Sequence, residues 1–221
     1  MRWFLAMMMC FYPQLVFAQT GSLFASARGE LVQARAALSD TGGSASLFSG
    51  HAQGGLFAPQ AMTEAVQRLR HVIGQAESPR AGYDAVQHGA RVKPAKRPTQ
   101  MTLAEIYAWI DATPGQPHAI GRYQFIPETL ARVATQAGAH PRERFSPALQ
   151  DRLADVLLEE AGFPAFLDGR LNQRDFMDNL AAIWAGLPSS NGMSRYHGIA
   201  GNKATVSLAY FQSEIAQIAP G

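Results

Sequence analysis

Gln75-Ala76-Glu77-Ser78-Pro79 closes a run in which Met62, Ala65, Val66, Leu69, Val72, Ile73 and Ala76 recur at the spacing of one helix face. Pro79 disfavours the helical conformation for Ser78, so the helix is expected to stop there with Glu77 on its last turn. Unpaired carbonyls at that end repel a negative charge, and a helix selected for stability alone would carry Lys or Arg. An acid held there beside an apolar face has its pKa raised and can give up a proton near neutrality. On position alone the favoured reading is an exposed glutamate near a helix end. The rest of the chain has to decide.

Downstream of Pro79, residues 80–100 lose helical periodicity and are rich in Gly, Pro and basic side chains. Tyr83-Asp84-Ala85-Val86 and Ala90-Arg91-Val92 are short enough for a small hairpin or an irregular lobe. Helices then return, each with a local start signal. Thr102-Leu103-Ala104-Glu105 is a capping box, and Pro114-Gly115 ends the helix it opens. Pro127 suits the first position of a helix ending near Gly138. Ser146-Pro147 starts another that runs to Gly162, and Asn172 with Asp175 starts the one that carries Trp184 and is closed by Pro188. A polar loop containing Tyr196 and His197 leads to a final helix expected over residues 202–219. The fold class expected is α+β and predominantly α-helical, with a small irregular or β lobe after the Glu77 helix.

Upstream of the helix the chain is different. Arg2, an apolar run over residues 3–16 and Val16-Phe17-Ala18 have the layout of a secretory signal cleaved after residue 18. The run is short for a membrane span and is broken by Pro13 and Gln14, so no stable membrane insertion is expected after cleavage, with an uncleaved anchor as the alternative. Cys10, the one cysteine, falls inside this segment, so the exported chain is expected to lack both disulfides and a thiol nucleophile. Residues 19–59 form a Gly/Ser/Ala-rich arm with three short Leu-Phe clusters at Leu23-Phe24, Leu47-Phe48 and Leu56-Phe57. The arm reads as a linker, and as a possible docking segment for a secretion- or appendage-system partner. The catalytic domain is placed at 60–221.

The chain has 221 residues and a formal charge of +2, and losing Arg2 leaves +1. With no run of Lys or Arg, nothing points to nucleic acid. No G-x-S-x-G, G-x-x-x-x-G-K-[ST] or G-x-G-x-x-G pattern occurs, so serine-hydrolase and nucleotide chemistry are not indicated. The six histidines are scattered without an i, i+4 pair, so neither a metal nor another cofactor is expected.

Glu77-Ser78 after an apolar helix is followed in order by Gly82-Tyr83-Asp84, Gly121-Arg122-Tyr123-Gln124-Phe125, Phe145-Ser146-Pro147 with Gln150-Asp151, and Ile183-Trp184-Ala185-Gly186-Leu187-Pro188. This series resembles the lambda-type phage endolysins, lysozyme-like peptidoglycan lytic transglycosylases, over about residues 63–211. Two departures stand out: the short spacing from Glu77 to Gly82, and an arm without counterpart in those enzymes.

The resemblance implies a lysozyme-like fold, peptidoglycan glycan strands as substrate and Glu77 as the catalytic residue. In such enzymes one Glu protonates the oxygen of the MurNAc-GlcNAc β-1,4 bond. It then takes a proton from the muramyl C6 hydroxyl, closing a 1,6-anhydro ring without water. Around it, Tyr123 and Gln124 are candidate binders of the sugar's N-acetyl groups, Tyr123 being equally a core aromatic. Ser78 is read as a hydrogen-bond partner of Glu77 or as a helix cap, and Tyr196 as a sugar-stacking residue. Asp84 is a turn-forming residue of the lobe or a possible second carboxylate. Trp184 is expected in the core and Arg122 in a structural ion pair. A hydrolytic muramidase and a non-catalytic glycan-binding or assembly module remain as alternatives.

Overall fold

The computed structural model describes residues 59–199 and 201–218, so the expected signal segment and nearly all of the arm lie outside the described residues. Helix α1, Pro59–Glu77, ends at the glutamate. Its apolar stripe is sunk in the core, with Val72 and Ile73 fully buried. Ser78 and Gly82 still donate their N–H groups backwards, to the carbonyls of Gly74 and Ser78, so the chain leaves the helix in one tight turn.

The lobe that follows is irregular. It consists of two 3₁₀ turns, Gly82–Asp84 and Pro98–Gln100, joined by loops. Val86 does bridge to another segment, but its partner is Ile120, so the hairpin within 83–92 does not form. Among the described residues strand pairing is confined to isolated bridges, including Ile120 with Phe125 across a tight turn.

The remaining helices are α2 Leu103–Ala112, α3 Pro127–Gln136, α4 Pro147–Glu160, α5 Phe163–Leu167, α6 Gln173–Ile183 and α7 Leu208–Ala216. Their starts follow local chemistry. The capping box at Thr102 and Glu105 is complete, Ser146 caps α4, and Asn172 caps α6. Helix α7 begins six residues later than expected, because Ser207 is its cap and residues 202–206 are extended or turned. Helix α5 was not expected; it is a single short turn opened by Gly162 and Pro164. Pairwise packing runs α3 on α4, α1 on α7, α4 on α5, α5 on α6 and α6 on α7. The core these helices enclose includes a stack of Phe163, Phe166 and Phe176, the last pair 4.5 Å apart.

Behind α1 lies a buried polar network. The Arg70 guanidinium binds both oxygens of Asp155, at 2.8 and 2.7 Å, and approaches Asp151 at 3.4 Å. Asp151 Oδ1 in turn accepts from the hydroxyls of Tyr83 at 2.8 Å and Tyr123 at 2.6 Å. A charge taken out of water has to be compensated in this way, and the network fastens the lobe and the Tyr123 turn to α1 and α4.

Candidate active site

The end of α1 is clasped from two sides. The loop after α6 comes so close that a Cβ on Gly186 would sit 2.6 Å from the Ala76 carbonyl oxygen, a space that only glycine leaves open. At this range the Gly186 N–H donates to Glu77 Oε1 at 2.8 Å. Thr205 closes the clasp. Its hydroxyl donates to the Ala76 carbonyl at 2.5 Å, and its N–H to the Gly186 carbonyl at 2.9 Å. One orphan carbonyl of the helix C-terminus is thereby satisfied, and the glutamate's backbone is fixed.

The Glu77 side chain is mostly buried, with one side open to a pocket of about 350 Å³. The pocket's lining is drawn from Gln87 and His88, from Gln124 and Ile126, from Trp184 to Gly186, and from Gly201, Asn202, Lys203 and Thr205. Burial pushes the carboxyl up to a pKa of about 7, against the opposing pull of the Gly186 N–H. The sequence attributes the shift to the helix end and to apolar neighbours; its leading cause is desolvation by burial. Among the described residues, no Asp or Glu other than Glu77 lines the pocket.

The other expected site residues divide. Gln124 lines the Glu77 pocket, held at a positive φ of 46° with its side-chain amide bonded to the Gly121 carbonyl at 2.9 Å. A non-glycine residue in that conformation is strained, and the Gly121–Phe125 turn that imposes it is locked by paired backbone bonds between Ile120 and Phe125. Tyr196 stands one step further on, in a hollow of about 270 Å³ whose walls share Gln124, Ile126 and Trp184 with the Glu77 pocket. Its hydroxyl is tied to the Ala182 carbonyl, which leaves the ring as the contact surface.

Tyr123 is 1% exposed and its hydroxyl is bonded to Asp151; it lines the hollow of Tyr196 but not the Glu77 pocket, which receives the following residue instead. Ser78 does not reach Glu77 either: its hydroxyl donates to the Arg122 carbonyl at 2.8 Å, tying the helix end to the 121–125 turn. Asp84 lies outside the Glu77 pocket, in a separate open hollow of about 500 Å³. There one of its oxygens accepts from Thr99 N at 2.9 Å and Thr99 Oγ1 at 2.7 Å, the turn-stabilising role. Arg122 makes no ion pair among the described residues; its guanidinium lies over the Tyr83 ring, 5.0 Å from the centroid. Trp184 is buried, as expected, but on the pocket's edge. Thr205 was missed because the sequence places it within a helix. A β-branched Thr205-Val206 pair just before a capping serine was the available signal.

Comparison with known proteins places these features in a family. The endolysin family model matches residues 63–216. Two solved structures align with the chain. One is the lysozyme from bacteriophage lambda, at 18% identity over 70% of this chain and 91% of that one, with a TM-score of 0.41. The other is the bacteriophage lambda lysozyme complexed with a chitohexasaccharide, at 22% identity, the same coverages and a TM-score of 0.41. No curated protein matches.

Proposed function

The chain belongs to the endolysin family, a family of peptidoglycan-cleaving enzymes, and we propose that within it this chain is a lytic transglycosylase. The observation that carries the reading is a carboxyl with a pKa of about 7 in a pocket that no second acid lines among the described residues. A hydrolase of the common two-carboxylate kind needs a base or nucleophile across the bond from its acid. Asp84 is the nearest sequence candidate for that part, and its engagement by Thr99 outside the pocket speaks against it.

In the proposed reaction Glu77 enters protonated, as about half the molecules are at pH 7. It delivers the proton to the glycosidic oxygen as the bond to the muramyl C1 breaks. The carboxylate so formed keeps the Gly186 N–H, a fixed donor that stabilises the anion between the two steps. It then accepts the proton of the muramyl C6 hydroxyl while that oxygen bonds to C1, which returns Glu77 to its starting state. No water is consumed, so a pocket that desolvates its acid costs the reaction nothing. Gln124 and the ring of Tyr196 are assigned to sugar contacts along the continuous wall beside Glu77. The same residues would serve a neutral glycan strand as well as a substituted one.

Clearing of purified cell walls by single variants tests the assignment. Glu77→Gln keeps size and the Gly186 hydrogen bond but has no proton to give, and activity should fall roughly a hundredfold or more. Asp84→Asn should keep most of its activity per folded molecule. Comparable losses in the two variants would move the second carboxylate into the reaction and end the single-acid reading.

A further inference from the structure

The rim of the Glu77 pocket carries a charge for which the reaction above has no use. Lys203 lines the pocket and is exposed, and it enters no ion pair among the described residues. Nor is it the counter-ion of Glu77, whose carboxyl responds to its burial and to the Gly186 N–H. The backbone on either side of it is fixed. A turn is closed just before it, by Gly198 N–H to the Asn202 carbonyl at 3.2 Å and Asn202 N–H to the Ile199 carbonyl at 2.9 Å. Two residues after it, Thr205 is bonded to Ala76 and Gly186. The lysine therefore projects from a segment clamped to the helix end that bears the acid.

Such a placement does little for the fold, since an exposed lysine without a partner contributes no ion-pair energy. Its charge is available to a ligand. A plain N-acetylated glycan strand is neutral, while muramoyl sugars of peptidoglycan carry peptide stems with free carboxylates. Resting on the lytic-transglycosylase reading, we propose that Lys203 is a specificity-determining residue. Its ammonium pairs with a carboxylate of the peptide stem on the strand bound at Glu77, so that the enzyme favours stem-bearing over stem-free strands. The pairing is solvent-exposed, which sets its scale at a few-fold.

The experiment uses two substrates, intact peptidoglycan and the same glycan strands stripped of their stems by an amidase, with the lactyl carboxylate that the cut exposes capped as its methylamide so that the stripped strand is neutral, and reads the ratio of kcat/KM between them. Lys203→Ala should lower the ratio about two- to fivefold, on the scale of exposed ion pairs. Lys203→Glu should lower it further, and Lys203→Arg should restore it. Lys93→Ala removes the same charge from the lobe, away from the pocket, and should leave the ratio at its wild-type value. An unchanged ratio in Lys203→Ala overturns the proposal. An equal drop in Lys93→Ala does so too, because it would mark general attraction of a basic surface to an acidic wall. A wild type that cleaves neither substrate would instead bring down the transglycosylase reading itself.

Discussion

Replacing Glu77 by Gln should make the protein more stable, by an amount that grows as pH rises from about 4.5 and is complete above about 7. The carboxyl moves from an ordinary 4.5 to about 7 on folding because the packed pocket desolvates it. Below pH 4.5 it is neutral in both the folded and the unfolded chain, and nothing is lost. Between 4.5 and 7 the unfolded chain releases its proton while the folded one holds it, so stability falls as pH rises. Above pH 7 the folded protein carries the full cost of a desolvated anion. A rise from 4.5 to about 7, at about 1.36 kcal/mol per tenfold change in the proton equilibrium, puts that cost at about 3 kcal/mol. Glutamine has no charge to desolvate, and its amide oxygen still accepts from the Gly186 N–H. Thermal unfolding of the two proteins should therefore coincide at pH 4 and separate at pH 8. For a chain of this length the variant should melt higher at pH 8 by roughly 6–12 °C. Curves that stay parallel at both pH values, or a variant that melts lower at pH 8, would refute the placement of Glu77 in a desolvating pocket.

Other consequences can be measured on the same material. In the wild type kcat/KM should fall as pH rises through about 7, where Glu77 loses the proton it has to donate. Gly186→Ala, whose added carbon would meet the Ala76 carbonyl at 2.6 Å, should push the loop away and cost about tenfold or more in kcat/KM. Because the Gly186 N–H holds the Glu77 pKa down, that variant's alkaline limb should also shift upward. Asp155→Ala leaves the buried Arg70 without its bidentate partner and should cost about 3–5 kcal/mol in urea denaturation.

The parts legible from sequence were those decided within a few residues. Apolar spacing and Pro79 mark where α1 stops; Thr102, Ser146 and Asn172 mark three helix starts by their capping side chains, and Pro127 a fourth by its ring at the first position. Helix α5 is too short to show a period. Helix α7 starts later than the sequence suggests because Thr205 bonds to α1 and the Gly186 loop, and local propensity carries no trace of such a partner.

The site follows the same division. Glu77 was readable as a helix-end acid, but the desolvation that raises its pKa comes from segments as distant as Gln87, Trp184 and Asn202. Tyr123 and Gln124 are neighbours in one turn, and the sequence does not say which of the two faces in. The structure buries the tyrosine on Asp151, more than twenty residues downstream, and turns the glutamine to the pocket. For Ser78 the sequence leaves open a hydrogen bond to Glu77 and a helix cap, whereas the hydroxyl donates to the carbonyl of Arg122.

The products of wall digestion test the central claim most directly. If Glu77 supplies both acid and base, muropeptides released by the wild type will end in 1,6-anhydro-muramyl sugars. By mass spectrometry each will be lighter by one water than its counterpart from a hydrolytic muramidase. Products with free reducing ends would mean that a water is activated at this site, and the single-acid account would be wrong.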